Sequence, residues 1–414
     1  MNIFYNLSMR TLPGLLRVHG VFNTKSRQAA VGRNHWRRTL RQRLAALPQG
    51  SRIVWFHAAS LGEFEQGRPV LETLRRRMPE VRILLTFFSP SGYNVRKDYP
   101  GADIVTYLPF DTPSAARDFV RMVHPAAAVF IKYEFWGNFL QRIHREHIPL
   151  YLISARFDAR QAFFKPYGRF MRRLLPLFTR IFTQDGESVS LLRSIGIKNC
   201  QAAGDTRFDR VADILKRDNT LPFMETFKDG KKLVVAGSAW EKDEELMEAL
   251  ISARASDPGV KYLIAPHDIH PERIRRLCAA LPGAVLYTQC EGADLASARV
   301  LVLDTVGMLS SVYRYASWAY IGGGFGTGIH NTLEAAIFAL PIAFGPNYSK
   351  FKEARDMVAL GAATKVETVT DLEAWFAPLR DNKEYRAKVS STAKDYTLKN
   401  IGATSLIMKI AFDS

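Results

Sequence analysis

The chain has 414 residues, 47% hydrophobic and 23% charged, which is typical of a globular protein of two or three domains and excludes a mainly disordered or fibrous chain. No apolar run approaches the roughly 18 residues of an ordinary transmembrane helix, and three cysteines without metal-ligand spacing argue against a disulfide-stapled secreted protein. The net charge of +17 is uneven, because residues 1–207 hold 32 basic and 14 acidic side chains whereas residues 208–414 hold 25 and 26. This asymmetry indicates that the first half meets a polyanion or an anionic membrane, although a solvated basic surface is the alternative.

The N-terminal segment, residues 1–25, is apolar but interrupted by Arg10, Arg17 and His19, and no acidic residue precedes Glu63. It lacks the continuous apolar core of a signal peptide. A mitochondrial-type presequence and a helix packed on its own domain both fit the composition. We favour an interfacial membrane anchor, because the apolar side chains can enter the headgroup boundary while the basic ones meet anionic lipid. The basic stretch of residues 33–43 extends this surface.

From residue 51 onward, apolar strand-like runs alternate with helical spacing. The predicted strands are 52–58, 82–88, 103–110, 126–132, 149–155, 180–184, 232–238, 261–266, 299–304, 318–324 and 341–345. Continuous apolar strands separated by helices predict parallel sheets covered on both faces. The pattern occurs once in each half, with a polar linker segment at 205–230 between them, so we predict two doubly wound domains whose strand ends face a central cleft.

The loops after the strands are where reactive residues are expected. In HAASLGE, residues 57–63, Glu63 lies at a helix start, where it is either a structural first-turn residue or a general base. In KYEFWGN, residues 132–138, charged side chains leave a buried strand, so Glu134 either serves the chemistry or is paired, with Trp136 in the core.

The segment GGGFGTGIHNTLEAA, residues 322–336, has five glycines in seven residues and is helix-compatible from Asn331 to Ala339. Free N–H groups before a helix start predict an anion cradle. Asn331 and Glu334 share one side of the first helical turn, where a ribose diol could be gripped; a plain flexible turn is the alternative.

Three further stretches carry polar side chains. His267 and His270 lack a third metal ligand, which favours imidazole donors to a nucleotide over a metal site. The loop of residues 304–313 also follows a strand. Residues 156–180 mix seven basic side chains with aromatic ones, which is the spacing of an amphipathic surface helix and, without a known nucleic-acid motif, disfavours nucleic-acid binding.

Five motifs together, HAASLGE, KYEFWGN, GDTRFD (204–209), GSAWEKDEE (237–245) and GIHNTLEAA (328–336), resemble the 3-deoxy-D-manno-octulosonic acid (Kdo) transferases of lipopolysaccharide biosynthesis. The resemblance implies an α/β protein of the GT-B glycosyltransferase fold. It also implies metal-independent, inverting transfer of Kdo from CMP-Kdo to a lipid A precursor of the lipid IVA type, with no cofactor. The implied partners are CMP-Kdo, a phosphorylated acylated disaccharide and the anionic cytoplasmic face of the inner membrane, and no nucleic acid.

The same resemblance assigns site residues. Glu63 would be the proton acceptor, and Glu134 and Arg207 would stabilise the transition state, with Arg207 standing where the family usually has lysine. The residues expected to hold CMP are Pro266, His267, Gly307, Met308, Leu309, Asn331, Thr332, Leu333 and Glu334.

The predicted domains are an anchor at 1–25, an acceptor-binding domain at 26–212 and a nucleotide-sugar-binding domain at 213–414, whose last helix could return to the acceptor-binding domain.

Two other functions remain open. One is a sugar-nucleotide enzyme of the same fold that uses a UDP donor, and the other is a non-catalytic membrane- or nucleic-acid-binding protein for which the basic half would suffice.

Overall fold

The computed structural model describes residues 3–413, so the first two residues of the predicted anchor and the last residue of the chain lie outside the described residues. The chain divides into two compact units, unit 1 of Met1–Asp209 with Ile401–Ser414, and unit 2 of Arg210–Asn400. Each unit is built on one seven-stranded, entirely parallel sheet. The prediction of two doubly wound α/β units is confirmed.

The sheet of unit 1 has the strand order β3-β2-β1-β4-β5-β6-β7. Its strands are β1 (Ile53–Ala58), β2 (Arg82–Phe87), β3 (Ile104–Tyr107), β4 (Ala127–Ile131), β5 (Leu150–Ala155), β6 (Arg180–Thr183) and β7 (Cys200–Ala202). Successive side chains of a strand point to opposite faces, so Trp55 belongs to one apolar core and Phe56 to the other. Burial on both faces is why these strands are continuously apolar in the sequence.

The helices of unit 1 precede the first strand or connect the strands. They are α1 (Ile3–His19), α2 (Thr24–Val31), α3 (Trp36–Ala45), α4 (Leu61–Arg77), α5 (Pro90–Arg96), α6 (Pro113–Val123), α7 (Gly137–Arg145), α8 (Arg169–Arg172) and α9 (Gly186–Ser194), followed by α10 (Thr206–Ile214) at the division between the units. No helix within residues 3–413 has both the length and the hydropathy to cross a membrane.

The sheet of unit 2 has the order β10-β11-β9-β8-β12-β13-β14. Its strands are β8 (Lys232–Ala239), β9 (Val260–Pro266), β10 (Val285–Leu286), β11 (Val300–Val302), β12 (Trp318–Ile321), β13 (Ile342–Phe344) and β14 (Ala363–Lys365). Its helices are α11 (Pro222–Lys228), α12 (Glu241–Ala253), α13 (Pro271–Ala280), α14 (Leu309–Val312), α15 (Leu333–Ala336), α16 (Lys352–Ala359), α17 (Val369–Asp381) and α18 (Lys383–Lys399).

The last helix, α19 (Ala403–Ala411), belongs to unit 1. Its side chains Ile407 and Met408 are fully buried in the core of unit 1 that also contains Phe56. Asp209 accepts hydrogen bonds from the N–H groups of Gly402 and Thr404, both at 2.7 Å. The carboxylate thereby satisfies free donors at the start of the helix and fixes where it docks.

The segment predicted as a linker, residues 205–230, contains the division between the two units after Asp209, and it also contains α10 and α11. Two other local predictions are wrong. Residues 156–180 form short turns and the four-residue α8 instead of one amphipathic helix, because Pro166 and Pro176 interrupt helical hydrogen bonding. The helix expected over 331–339 is only α15, since Ala339 has a positive φ of 59° and Pro341 follows.

Candidate functional site

The carboxylate of Glu63 lies just beyond the carboxyl end of β1. Ser60 caps α4, and its Oγ accepts from the N–H of Glu63 at 3.4 Å, while Glu63 Oε2 accepts from the N–H of Ala59 at 2.7 Å. Glu63 therefore has the structural role predicted for a first-turn glutamate, because it takes part in the hydrogen bonds at the start of α4. Burial and then the charge of Glu134 raise the pKa of Glu63 to about 7, against the opposing effects of the Ala59 N–H and of Lys132. A carboxylate with such a pKa can take up a proton near neutral pH.

Glu134 follows β4, the strand next to β1 in the sheet, and it is 7% exposed. Its Oε2 atom accepts from Trp136 Nε1 at 2.6 Å and lies 3.0 Å from Nε2 of the fully buried His57. Trp136 thus packs against the core, as predicted, and its indole N–H also donates a hydrogen bond to the Glu134 carboxylate.

The orientation of His57 is set from its other ring nitrogen. Nδ1 lies 2.9 Å from Thr86 Oγ1 and 3.2 Å from the Thr86 carbonyl oxygen, which can only accept. Trp55 Nε1 in turn donates to Thr86 Oγ1 at 2.8 Å. His57 Nε2 lies 3.0 Å from Glu134 Oε2 and 3.0 Å from Trp136 Nε1, so the indole N–H points at both the ring nitrogen and the carboxylate. Glu134 therefore belongs to a buried cluster with His57 and Trp136.

Arg207 lies in the first turn of α10 and forms a double contact with Asp205, from Nε at 2.9 Å and from Nη2 at 2.6 Å. The neighbouring Thr206 donates to the carbonyl of Gln66 in α4, and its Oγ1 lies 3.0 Å from Oγ of Ser154 in β5. The GDTRFD segment is thus tied by side-chain bonds to the helix that begins at HAASLGE. The structure brings together Glu63 and Glu134, which follow the adjacent strands β1 and β4. It also pairs the charge of Arg207 with Asp205.

In unit 2 the glycine-rich loop is attached to the start of α12 by the buried Asp243. Its carboxylate accepts from the N–H groups of Trp240 and Gly323, both at 2.8 Å, and from Tyr320 Oη at 2.7 Å. Three donors on one buried carboxylate hold the loop after β12 against the loop after β8. Gly323 has a φ of 91°, which explains a glycine at this point.

Asn331 and Glu334 lie together as predicted, since Asn331 Nδ2 donates to Glu334 Oε1 at 2.9 Å. Asn331 Oδ1 accepts from the N–H of Leu333 at 3.1 Å. The Oγ1 atom of Thr332 is buried and has no hydrogen-bond partner within residues 3–413. With only four residues in α15, the polar side chains contribute more to this site than the helix dipole does.

The other predicted nucleotide contacts lie at the same edge of the sheet. The loop that contains Gly307 and Met308 leads into α14. A Cβ atom on Gly237, near the end of β8, would lie 3.1 Å from the Leu309 side chain and 2.0 Å from Tyr313 Oη. Burial and the charge of Glu334 raise the pKa of the Tyr313 phenol. Pro266 ends β9, and His267 follows it, with its N–H donating to Ala239 at 2.8 Å.

Three aromatic rings from three of these loops form a stack. The ring of His267 stacks on that of Trp240, at 4.4 Å between centroids, and on that of His330, at 4.5 Å, with interplanar angles of 22° and 25°. The rings of Trp240 and His330 are nearly parallel to each other, at 9° and 6.4 Å between centroids. Trp240 Nε1 donates to His330 Nε2 at 2.9 Å, so a neutral His330 carries its proton on Nδ1. Burial lowers the pKa of both histidines, with Arg273 adding to the effect on His267 and His267 adding to that on His330.

His57, Trp240 and His330 were not predicted as functional residues, and Trp136 was predicted only as a core residue. All four lie inside the predicted motifs, and this position was the signal that could have revealed them. His270, by contrast, is exposed and takes no part in the ring stack.

A protein-family model described as 3-deoxy-D-manno-octulosonic-acid transferase (kdotransferase) matches residues 36–210. The 3-deoxy-D-manno-octulosonic acid transferase of Bordetella pertussis is 29% identical over 377 residues, or 85% of each chain. That of Haemophilus influenzae is 25% identical over 378 residues, or 88% of this chain and 86% of the relative.

Among solved structures, UDP-GlcNAc 2-epimerase from Neisseria meningitidis, bound to UDP-GlcNAc, has a TM-score of 0.61 at 14% identity and covers 87% of this chain and 100% of its own. A likeness at this identity concerns the fold alone. Together with the two doubly wound units, the matches confirm the GT-B fold class and the resemblance that the five motifs predicted.

Proposed function

We propose that this chain, which is similar to the Kdo transferases over most of its length, is a glycosyltransferase that transfers Kdo from CMP-Kdo to a phosphorylated, acylated disaccharide of the lipid IVA type. The proposal assigns the acceptor to unit 1 and the donor to unit 2. Transfer occurs with inversion at the anomeric carbon, without a metal ion, and on the cytoplasmic face of the inner membrane.

The observation that carries the proposal is the half-buried Glu63 beside Glu134 at the carboxyl edge of the first sheet. An inverting transfer is a single displacement. The acceptor hydroxyl oxygen forms a bond to the anomeric carbon of Kdo, the bond from that carbon to the phosphate oxygen breaks, and CMP leaves with the electron pair. The hydroxyl proton goes to the Glu63 carboxylate, for which a pKa of about 7 is well matched.

Glu134 and Arg207 are assigned to the stabilisation of charge around the reacting carbon. A group contributes most when it needs no rearrangement during the reaction. Glu134 meets this condition, because His57 and Trp136 hold its Oε2 atom from within the protein. Arg207 is held in a fixed direction by its double contact with Asp205.

Unit 2 offers the features that a cytidine monophosphate group needs. The N–H groups of Gly322, Gly323 and Gly326 bond within the protein, so the other N–H groups of the glycine-rich loop would meet the phosphate. The paired Asn331 and Glu334 can bind ribose hydroxyls. These donors, with His267, can also take up the charge of the leaving phosphate, which is why the proposed reaction needs no metal ion.

The proposed membrane site is α1. Its apolar side chains are open to solvent, including Phe4 at 78% and Val18 at 70%, and the exposure continues to Phe22 at 90%. Within Ile3–His19 no side chain is fully buried. Exposed apolar groups on a helix with basic neighbours favour the lipid–water boundary.

The test is to incubate the purified protein with CMP-Kdo and the acylated disaccharide phosphate and to weigh the product by mass spectrometry. We expect the acceptor to gain the mass of one or more Kdo residues, with CMP released. UDP-linked sugars serve as the comparison donor: transfer from UDP but not from CMP-Kdo would replace this proposal by the UDP-donor alternative. Binding of anionic vesicles without any transfer would favour the non-catalytic alternative.

A further inference from the structure

A basic pocket that the assigned reaction does not use lies in unit 1, beside α1. It has a volume of about 400 Å³ and is lined by the arginines Arg10, Arg117, Arg142 and Arg145 together with the neutral side chains of Ser114, Asn138 and others. No carboxylate is among the described residues that line it. The volume is within the range of small-molecule sites.

The pocket follows one face of α7. Asn138, Arg142 and Arg145 are spaced by four and three residues, which places them along a single side of the helix over about 10 Å. Ser114, in the first turn of the eleven-residue α6, adds the positive end of that helix. Four guanidinium groups around one opening suit a phosphate, which Arg binds through paired N–H donors.

The charge of the pocket is only partly neutralised. Arg142 pairs with Glu146, and Arg117 pairs with Asp118, which also binds Arg37. Within residues 3–413, Arg145 has no ion pair or side-chain hydrogen bond, and the same holds for Arg10. Two of the four arginines are thus available to an anion without breaking a contact.

Helix α1 is fixed in place at this pocket by polar contacts. Tyr5 Oη donates to Asp111 at 2.5 Å and accepts from the N–H of Gly137 at 3.1 Å. Asn138 Nδ2 donates to Asn6 at 3.1 Å. These bonds hold Arg10 at the pocket, and they join α1 to the segment that contains Glu134.

Apolar side chains of the same helix lie next to the cationic opening and face solvent. Ile3 is 80% exposed and Leu7 is 58% exposed, one turn before Arg10. A phosphate site with an apolar helix beside it is complementary to an amphiphile that carries phosphate on a sugar and acyl chains on the same headgroup.

We propose that this pocket binds a phosphate group of the acceptor glycolipid while the acyl chains lie along the exposed side of α1. The inference rests on the proposed function for the identity of the acceptor. It assigns Arg10, Arg117 and Arg145 to recognition of the acceptor, not to the chemical step.

The binding test uses the full-length protein with the double substitution Arg117→Gln and Arg145→Gln. Both side chains are exposed, and Asp118 keeps its pair with Arg37, so the thermal unfolding temperature should stay that of the wild type. The matched control replaces Arg121 of the same helix and Arg76 of α4, both exposed and outside the pocket, by glutamine. Vesicles of phosphatidylcholine carry the bisphosphorylated acylated disaccharide, its dephosphorylated form, or phosphatidylglycerol.

We expect the wild type and the control to prefer the bisphosphorylated disaccharide over the dephosphorylated form, and the double variant to lose roughly ten-fold or more of that preference. Binding to phosphatidylglycerol vesicles should be nearly equal in the double variant and the control, because each has lost two positive charges. An unchanged preference in the double variant would overturn the inference. An equal loss on phosphatidylglycerol would also overturn it, because the pocket would then bind anionic phospholipid in general.

A kinetic readout separates this inference from the proposed function. In the transfer assay, the double variant should show a higher KM for the phosphorylated acceptor with kcat and the KM for CMP-Kdo unchanged. If the wild type transfers Kdo and the variant has the same acceptor KM, only the pocket assignment fails. If the wild type transfers nothing, the proposed function fails while the vesicle comparison still tests the pocket.

Discussion

At the scale of single residues, Glu63 combines a structural and a chemical role. Its Oε2 atom accepts from the Ala59 N–H, a contact that stabilises the ionised form, and yet the pKa rises because burial and Glu134 act more strongly. The balance leaves a carboxylate that is anchored at the start of α4 and still changes its protonation near neutral pH. A solvent-exposed first-turn glutamate would keep its ordinary pKa.

The first prediction concerns this titration. Only ionised Glu63 can accept the hydroxyl proton, so below pH 7 transfer should fall by about ten-fold per pH unit, and above pH 7 it should level off. Glu63→Gln should abolish this fall in rate below pH 7 and lower transfer by roughly 10²-fold or more, with CMP affinity retained. The measurement is the pH profile of kcat/KM with saturating donor.

The control for Glu63→Gln is Glu80→Gln, an exposed glutamate of the same unit. It should leave both the rate and the profile as they are. A Glu63→Gln enzyme with near-normal turnover would show that the base is another residue, and Glu134 would be the first to test.

The second prediction concerns the ring stack. In Trp240→Phe the stacking ring remains, but the N–H that occupies His330 Nε2 is lost. In the wild type this N–H favours the neutral ring, because a proton on Nε2 would have to displace it. Its loss should therefore raise the pKa of His330. The charged and titratable groups that act on this ring are His267, which lowers the pKa, and Asp243, which raises it.

A histidine NMR titration measures this change directly, and the CMP affinity of Trp240→Phe should depend more strongly on pH than that of the wild type, as His330 titrates. His270→Asn is the control, because His270 lies in the same loop as His267 outside the stack. An identical His330 titration in the wild type and in Trp240→Phe would contradict the assigned tautomer.

At the scale of elements, α1 and the turn after it present to solvent apolar side chains that do not pack in the core. Leu15 and Phe22 are 64% and 90% exposed, and their replacement by serine should leave thermal stability nearly unchanged. Each should weaken binding to lipid vesicles, since inserting such a side chain contributes about 1.5–3 kcal/mol. The double variant should therefore lose on the order of 10²-fold or more in vesicle affinity, measured by flotation.

The matched control for α1 is Val306→Ser, a valine of unit 2 that is 81% exposed. It should bind vesicles as the wild type does. Deletion of residues 1–24 should likewise move the protein to the soluble fraction, and a truncated protein that still pellets with membranes at high salt would place the membrane contact elsewhere. The point substitutions are cleaner, because the deletion also removes Tyr5 from Asp111.

The elements that the sequence revealed are those with a strong burial pattern. Strands such as β1 and β4 are apolar throughout because both faces are covered, and they were predicted to within a few residues. The edge strands β7, β10 and β14 have two or three residues each, too few for a pattern, and they were missed. Residues 156–180 have the spacing of a helix, but Gly168 packs so tightly that a Cβ would lie 1.6 Å from the Ala162 carbonyl oxygen.

The residues of the candidate site were likewise predicted only where the local sequence has a distinct pattern. Glu63 and Glu134 were found because carboxylates after buried strands are unusual, and their closeness follows from the adjacent strands β1 and β4. His57 stands in an apolar strand, and its contact with Glu134 joins residues 77 positions apart. Such a pair depends on strand order, which a single sequence does not state. The same holds for the stack of His267 and His330, which brings together two separate loops.

At the scale of the whole molecule, the basic surface and the exposed apolar surface have different roles in the proposed membrane binding. The excess of basic residues is confined to residues 1–207, which contain the exposed helix α1 and the basic pocket, whereas residues 208–414 are nearly neutral. Basic side chains near an anionic surface contribute about 1 kcal/mol each. Membrane binding should then have two components, one electrostatic and one apolar.

The last prediction separates these components by salt. Raising the ionic strength from 0.1 M to 1 M shortens the Debye length from about 10 Å to about 3 Å. Binding to vesicles with phosphatidylglycerol should fall by on the order of 10²-fold or more, as several charge contacts are screened. Binding to pure phosphatidylcholine should stay constant or strengthen, because burial of Leu15 and Phe22 does not depend on charge. Equal salt sensitivity on both vesicles would contradict an apolar contribution from α1, and salt-independent binding to both would contradict a role for the basic half.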